Sequence, residues 1–380
     1  PDEPDAELVP LTLAQCQSCK LTQLTHDYDP DDLYRRGYGY RSGVNQTMRD
    51  HLAGIAQQLE SHVKIRPNDT VLDIASNDGT LLRSYTEKKL NLVGIDPTIT
   101  QYRSYYPNGS YLSSDFFSQR VFESISPTKK AKAISSIAVF YDVPDPARFT
   151  ADVASVLETN GVWVMEQSYL PLLVADLSFD SICHEHLGYY CLKQIELAAE
   201  NAGLRVFDAE TNSMNGGSIR AFICHAKSRY STNEIALSKI AKLEAEAKLD
   251  CTETFNAFHT RVNEVGEKLL KVLKNVKAAG KTVHVYGAST KGNVLLQLFG
   301  IDRKLIDAAS ERNEWKFGHR TPGTNIPIIS EEASRAQKPD YYLVLPWHFR
   351  NEFVEREQTF INNGGKLIFP LPNVEVYPAD

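Results

Sequence analysis

The sequence predicts an α/β fold with two Rossmann-like units and a small N-terminal segment of different character. Three observations carry this. Strand-like apolar runs alternate with helical stretches over 51–226, the signature of a mainly parallel sheet. The same alternation restarts over 281–380. Between them lies one long amphipathic helical region, 231–278. The chain therefore divides into 1–50, 51–226 and 227–380, the last joining the helical linker to the second α/β unit.

Residues 1–50 are rich in Asp, Pro and Tyr and lack periodicity, so they read as loops around short strands. A helix is predicted over 45–63. Strands are predicted at TVLDIA (70–75), LVGID (92–96), AISSIA (133–138), GVWVMEQ (161–167), GLRVFDAET (203–211) and SIRAFICHA (218–226). Only a short segment around NSMNGG joins the last two, so a hairpin gives the sheet an antiparallel end. In the helical region Phe255, Phe258, Val262, Val265, Leu269, Val272 and Val276 advance in steps of three and four and share one face. The stripe is too short for sustained heptads, so it reads as a helix lying on a sheet or spanning two domains. Gly280 ends that helix. KTVHVYGA, KLIDAAS, YYLVLPW and GKLIFPL then read as strands, with Gly364 and Gly365 stopping the helix before the last.

Composition narrows the function. The 380 residues carry a formal charge of 41 − 48 = −7, with 42% hydrophobic residues. That is ordinary globular composition, and mild acidity argues against a protein that coats nucleic acid. No window approaches the roughly 20 apolar residues of a membrane span, and no signal segment opens the chain. Six scattered cysteines are too few for a disulfide framework, so reduced thiols in a cytoplasm are expected.

The first chemical signal is Val71 to Leu82, a buried strand, a small polar turn and a helix start. Ligands in open α/β sheets sit at the carboxyl ends of strands, which is where this turn lies. Only Gly79 in it is a glycine, so a pyrophosphate-cradling fingerprint is absent. Asp73, the turn Ala75, Ser76, Asn77, Asp78 and Gly79, then Asp96 about 20 residues on and Asp115 beside Phe116, form a run of acids suited to S-adenosylmethionine. Ribose hydroxyls donate to such acids. The plainer alternative is a helix N-cap at Ser76, Asn77 or Asp78 with ordinary loop acids.

The second signal is Cys183-His184-Glu185-His186, the densest titratable cluster in the chain. His184 and His186 are two apart and share a face only on extended backbone, a weak zinc pattern. General acid–base chemistry fits better, a His with a neighbouring Glu removing a proton. Buried, hydrogen-bonded histidines are the plain alternative. Asn215, Gly216 and Ser218, in NGGSIR, are either hairpin chemistry or a backbone surface near a ligand.

Together LDIASNDGTLL (72–82), FDSICHEHLGYY (179–190), NGGSIR (215–220), YGASTKGNVLL (286–296), PGTNIPI (322–328) and LPWHF (345–349) resemble the zinc-binding, SAM-dependent sugar C-methyltransferase family. That family methylates C3 of nucleotide-linked 4-keto-6-deoxysugars. The resemblance runs in order along nearly the whole chain. It implies a small zinc domain, a class I methyltransferase domain and a C-terminal α/β domain that helps hold the nucleotide sugar. It implies His186 as the base, Glu185 as an orienting or polarising group with His184 beside it, and a pocket tyrosine from YGYRSG, either Tyr38 or Tyr40. Some members carry Tyr where this chain has Cys183, a departure that points to a different sugar or stereochemistry.

The resemblance further implies that Ser289 and Lys291, at a helix N-terminus, meet the substrate's diphosphate, as such anion sites do. Glu311, Arg312, Trp347 and His348 near strand ends are weaker candidates, Trp347 either stacking on a base or packing in the core. The family's zinc site takes two CxxC pairs, and here one, Cys16 and Cys19, is present. The expectation is no intact zinc site, either because the sequence begins inside the zinc domain or because this member has lost it. Two other functions stay open on sequence alone: an O- or N-methyltransferase, and a non-catalytic nucleotide-sugar-binding module.

Overall fold

A computed structural model describes residues 9–35 and 38–379. Its strands, in chain order, begin with β1 (Leu13–Gln15) and β2 (Thr22–Leu24). Next come β3 (Thr70–Ile74), β4 (Asn91–Ile95), β5 (Tyr111–Ser113), β6 (Ala131–Ile137), β7 (Leu157–Ser168), β8 (Gly188–Tyr189), β9 (Leu204–Asn212) and β10 (Ser218–His225). The last are β11 (Val283–Tyr286), β12 (Ala308–Glu311), β13 (Ile328–Ser330), β14 (Tyr341–Val344), β15 (Lys366–Phe369) and β16 (Glu375–Tyr377). They form three sheets, ordered β1-β2-β8, β5-β4-β3-β6-β7-β10-β9 and β13-β12-β11-β14-β15-β16.

The central seven-stranded sheet is parallel from β5 to β7 and antiparallel beyond, so the predicted hairpin end is present. All five residues of β3 are buried, as expected for a strand covered on both faces. The helix Gln46–Val63 covers one face. Asn45 caps it by accepting from the Thr47 amide at 2.8 Å, and Met48, Leu52, Ile55, Leu59 and Val63 bury at helical spacing against Val71, Val162 and Phe222. Gly217, with φ +113°, closes the β9–β10 turn; a Cβ there would lie 2.6 Å from Leu172 Cβ, so this position requires glycine.

A buried ion network ties that helix to the sheet. Glu166 on β7 accepts from Arg220 Nε at 2.8 Å and Asn212 Nδ2 at 2.9 Å, and its other oxygen meets His51 of the helix. Burial raises the Glu166 pKa, but the His51 hydrogen bond and the Arg220 charge outweigh it and leave the carboxyl below its usual value. Arg220→Met is expected to cost about 3–5 kcal/mol in urea unfolding, because it strands a buried charge. A depressed carboxyl contributes stability above its unfolded pKa and loses it as pH falls through the folded value. The gap between variant and wild type therefore narrows below about pH 4.

The helical region is two helices, Glu234–Ala247 and Thr252–Ala278, where the sequence predicts one. Lys248 takes the left-handed conformation at φ 49°, and buried Leu249 offers its carbonyl to Gln15 Nε2 at 2.7 Å. A tertiary contact breaks the helix, and no Gly or Pro marks it. The second helix lays Phe258, Val262, Val265, Leu269, Leu273 and Val276 on the C-terminal sheet. Gly280 ends it at φ +71°, with the Lys281 amide reaching back to the Val276 carbonyl.

The C-terminal sheet is parallel from β13 to β15, with β16 added antiparallel at one edge. The β1–β2 hairpin carries Cys16 and Cys19 at its tip and pairs with β8. The Leu24 amide donates to Leu187 at 2.9 Å and Gln194 donates to the Cys19 carbonyl at 2.7 Å, so this hairpin braces the loop that holds His186.

Candidate active site

The first wall of the site is the turn after β3. Ala75, Asn77 and Gly79 all have positive φ, which bends the chain sharply over the strand ends. A Cβ on Gly79 would lie 2.7 Å from the Tyr106 ring, so the turn is closely packed from below. Asp73 accepts from Ser135 Oγ at 2.6 Å; burial above all, then Asp96 and Asp78, push its carboxyl up to about 7. Asp96 accepts from the Asn77 amide at 2.9 Å and the Thr98 amide at 2.7 Å, and burial raises its pKa. Ser76 Oγ meets Tyr106 Oη at 2.8 Å. Asp78 is fully buried and accepts from Thr80 Oγ1 at 2.5 Å.

The N-terminal segment folds over this turn, an arrangement that no periodicity or spacing predicts. The Ser42 amide donates to Asn77 Oδ1 at 2.9 Å, Asn77 Nδ2 donates to the Tyr40 carbonyl at 3.0 Å, and the Gly43 amide donates to Asp78 at 3.1 Å. Arg41 pairs with Asp78 at 3.3 Å, and Arg35 pairs with Asp115 at 2.8 Å while lying 5.0 Å over the Phe116 ring. Strand-end acids, a tight glycine turn and an aromatic ring beside Asp115 fit the ribose, amino-acid and adenine parts of S-adenosylmethionine.

The second wall is the loop Ile182–Leu187. His186 is 6% exposed, and its Nδ1 lies 2.7 Å from the Ser181 carbonyl. A carbonyl only accepts, so Nδ1 carries the proton and Nε2 is left as a lone pair. The ring lies tilted against Tyr141, their centroids 4.1 Å apart. Burial, then Lys291, hold its pKa at about 3, so it is neutral across the physiological range. Glu185 accepts from Thr290 Oγ1 at 3.0 Å; burial raises its pKa, and Thr290, Lys291 and Lys316 oppose that rise. The Cys183 sulfur, a Glu185 oxygen and a His186 nitrogen lie within 4.8 Å of one another. Burial, reinforced by Glu185 and Asp142, pushes the Cys183 thiol far up. His184 sets its ring edge-on to Tyr28 at 5.0 Å, and its Nε2 is buried with no partner among the described residues. Tyr38 faces Glu185 and Asp142, whereas Tyr40 is 49% exposed and faces Asp78.

The third wall comes from the C-terminal unit. Ser289 caps the helix Thr290–Leu298 by accepting from the Gly292 amide at 3.1 Å. Lys291 Nζ donates to the Asn215 carbonyl at 3.2 Å, and its charge acts on Asp180, Cys183, Glu185, His186 and His348. Trp347 is buried and donates to Asp180 Oδ2 at 2.9 Å. It packs against Gly216, where a Cβ would lie 3.5 Å from its ring and 2.9 Å from Ser178 Oγ. Ser218 bonds the Met214 carbonyl inside the hairpin. Glu311 serves its own loop, accepting from the Ala288, Arg312 and Asn313 amides, and Arg312 pairs with Glu331.

Buried polar atoms without partners among the described residues gather here: Asp142 Oδ1, Asp180 Oδ1, the Tyr34 and Tyr189 hydroxyls, and both amide atoms of Gln167 at the carboxyl end of β7. Native interiors rarely leave such atoms unpaired, so they mark where a ligand belongs. Thr290, Asp180, Asp142 and Tyr34 were not named as site candidates from sequence; they reach the site from a helix start, two 3-10 turns and a π-helical turn, with no periodicity to reveal them. At the hairpin tip the amides of Cys19 and Ser18 hold the Cys16 thiol below its usual value. Among the described residues no third ligating side chain joins Cys16 and Cys19, and two sulfurs are half of zinc's tetrahedral set.

Comparison with known proteins gives two family matches. A C-methyltransferase C-terminal domain spans residues 213–372, and a methyltransferase domain spans residues 40–209. The C-methyltransferase NovU of Streptomyces niveus is 30% identical over 383 residues, covering 100% of this chain and 91% of that protein. Among solved structures, a chain of the complex between the Haloferax volcanii Trm112 methyltransferase activator and a methyltransferase aligns with TM-score 0.39 at 14% identity, covering 48% of this chain and 94% of that one. The SAH-bound CalO1 methyltransferase of calicheamicin biosynthesis aligns with TM-score 0.35 at 15% identity, covering 47% of this chain and 55% of that one.

Proposed function

The chain belongs to the SAM-dependent C-methyltransferase family, and from that premise we propose that it methylates C3 of a nucleotide-linked 4-keto-deoxysugar. The observation that carries this reading is His186, a buried neutral imidazole whose Nδ1 is committed to the Ser181 carbonyl and whose Nε2 has no hydrogen-bond partner among the described residues, set beside Glu185. S-adenosylmethionine, when bound, supplies an electrophilic sulfonium methyl. It would be held by Asp73, Asp96, Asp115 and the Ala75–Gly79 turn.

His186 Nε2 removes the proton that the neighbouring ketone acidifies, and the Ser181 carbonyl keeps its tautomer fixed. Glu185 and Tyr38 orient the reacting end of the sugar, and Asn215, Gly216 and Trp347 close the pocket over it. Lys291 supplies positive charge at the carbonyl. The nucleotide lies further out. A cavity of about 350 Å³ opens beside Thr290 and is lined by Asn293, Trp315, Lys316, His319 and Arg320. Exposed Trp315 and this basic rim suit a base and a diphosphate. Lys316, His319 and Arg320, in place of Lys291, then take the diphosphate.

The division into 1–50, 51–226 and 227–380 follows the same roles: brace, methyl-donor site and nucleotide-sugar site. Incubation with S-adenosylmethionine and nucleotide-linked 4-keto-6-deoxyhexoses is expected to yield S-adenosylhomocysteine and a sugar heavier by one methyl group. Tight calorimetric binding of S-adenosylmethionine with no product from any such sugar would sink the substrate assignment.

A further inference from the structure

Asp142 ends the 3-10 turn Phe140–Asp142 that follows β6. This turn abuts the His186 loop: the Leu187 amide donates to the Tyr141 carbonyl at 2.8 Å, and the Tyr141 and His186 rings stand 4.1 Å apart. The Asp142 carboxyl is thereby set beside the His186 and Glu185 loop. Its Oδ1 is buried and has no partner among the described residues. A bare carboxylate oxygen in such a place is costly, so it carries a proton, meets a ligand, or does both.

The surroundings decide. The titratable groups facing Asp142 are Tyr34 and Tyr38 of the N-terminal segment, Tyr141 beside it, Cys183 and Glu185 of the loop, and Tyr189 and Tyr190 after it. None is a cation. Burial, then the Glu185 charge, push the Asp142 carboxyl well above the usual carboxylate range, against a smaller opposing pull from the Tyr34 hydroxyl. Glu185 has Thr290, Lys291 and Lys316 to favour its charged form. Two carboxyls in one pocket with the cations on one side favour placing the proton on Asp142 rather than Glu185.

We propose that Asp142 is the oxyanion donor of this site, its carboxyl O–H hydrogen-bonding the substrate carbonyl oxygen on which charge develops. The proposal rests on the 4-keto-sugar reading above. His186 Nε2 takes the proton from the carbon beside the ketone. The C–H electron pair becomes the C=C bond of an enolate, and the carbonyl π pair moves to oxygen, which accepts from Asp142. That carbon then takes the methyl group, sulfur keeps the broken bond's pair and leaves as the thioether, and the carbonyl re-forms. Asp142 keeps its proton throughout, and His186 returns its proton to water. An imidazole held near a pKa of 3 is a weak base, so stabilising the enolate must carry much of the rate.

The test compares wild type, Asp142→Asn and Asp142→Ala on a nucleotide-linked 4-keto-6-deoxyhexose. Asparagine keeps a donor at the same place and is expected to retain activity within about tenfold. Alanine is expected to lose about 10²–10³-fold in kcat with KM little changed, and to slow SAM-free deuterium wash-in at C3 equally. Infrared difference spectra of wild type minus Asp142→Asn at pH 7 are expected to show the C=O band of a protonated carboxylic acid. A folded alanine variant turning over at the wild-type rate overturns the proposal, as does absence of that band. If the wild type makes no product, the sugar reading fails instead, and the infrared band still decides whether Asp142 holds its proton.

Discussion

His186→Gln is expected to lower kcat by about 10³-fold while leaving S-adenosylmethionine affinity near that of the wild type. Glutamine fills a similar volume, and its amide N–H still reaches the Ser181 carbonyl that His186 Nδ1 contacts at 2.7 Å. What it lacks is the Nε2 lone pair. SAM-free deuterium wash-in at the substrate carbon should fall in parallel, because exchange needs the same proton removal. Wash-in at the wild-type rate would move the base elsewhere. Stability carries a second signature. The folded protein keeps His186 neutral down to about pH 3, whereas an unfolded histidine takes its proton near 6.5. The unfolded state therefore binds the extra proton, and native stability falls as pH drops from about 6.5 towards 3. The glutamine variant lacks that share of the acid destabilisation, so its urea midpoint declines less steeply over that window. His348, also held at about 3, retains its own share in both proteins.

Particular residues show how much of this was legible in the sequence. Mostly apolar runs such as Val71 to Ile74, interrupted only by Asp73, announce buried parallel strands, and all five residues of β3 are buried. Asn215, Gly216 and Gly217 announce the antiparallel hairpin, because their positive φ values suit few other residues. The acids Asp73, Asp78 and Asp96 are foreseeable as one cluster, since strand ends converge at the same edge of a parallel sheet. Long-range placement is a different matter. The β1–β2 hairpin pairs with two-residue β8, a match too short to leave a pattern. Lys248 breaks the long helix because Gln15 holds the Leu249 carbonyl, a contact 234 residues apart. Tyr38 and Tyr40 are two residues apart in one motif, yet one faces Glu185 and the other Asp78. Local chemistry names the candidates, and only the packing of the N-terminal segment separates them.

Lys291→Met is expected to lower kcat/KM by about 10²–10³-fold, with most of the loss in kcat. The family resemblance implies that this lysine, at a helix N-terminus, meets the substrate's diphosphate. In the structure its Nζ donates to the Asn215 carbonyl, and its charge acts on Asp180, Glu185 and His186 together. An ammonium that close to the base acts on the reacting carbonyl, where its Coulombic help grows as the oxygen becomes negative. An anchor on the diphosphate would bind ground state and transition state alike, and its removal would raise KM alone. The pH profile gives an independent reading. Burial is the larger cause of the low His186 pKa and persists in the variant, but the repulsion from Lys291 goes, so the acid limb of kcat moves to higher pH. Glu185 loses a neighbour that favours its charged form, and its pKa rises as well. Methionine keeps the length and apolar stem of lysine, so the helix Thr290–Leu298 and its Ser289 cap should survive, and an unchanged melting temperature would show it. A variant with normal kcat, an unshifted acid limb and a raised KM would return Lys291 to the diphosphate and leave Asp142 to face the enolate oxygen without it.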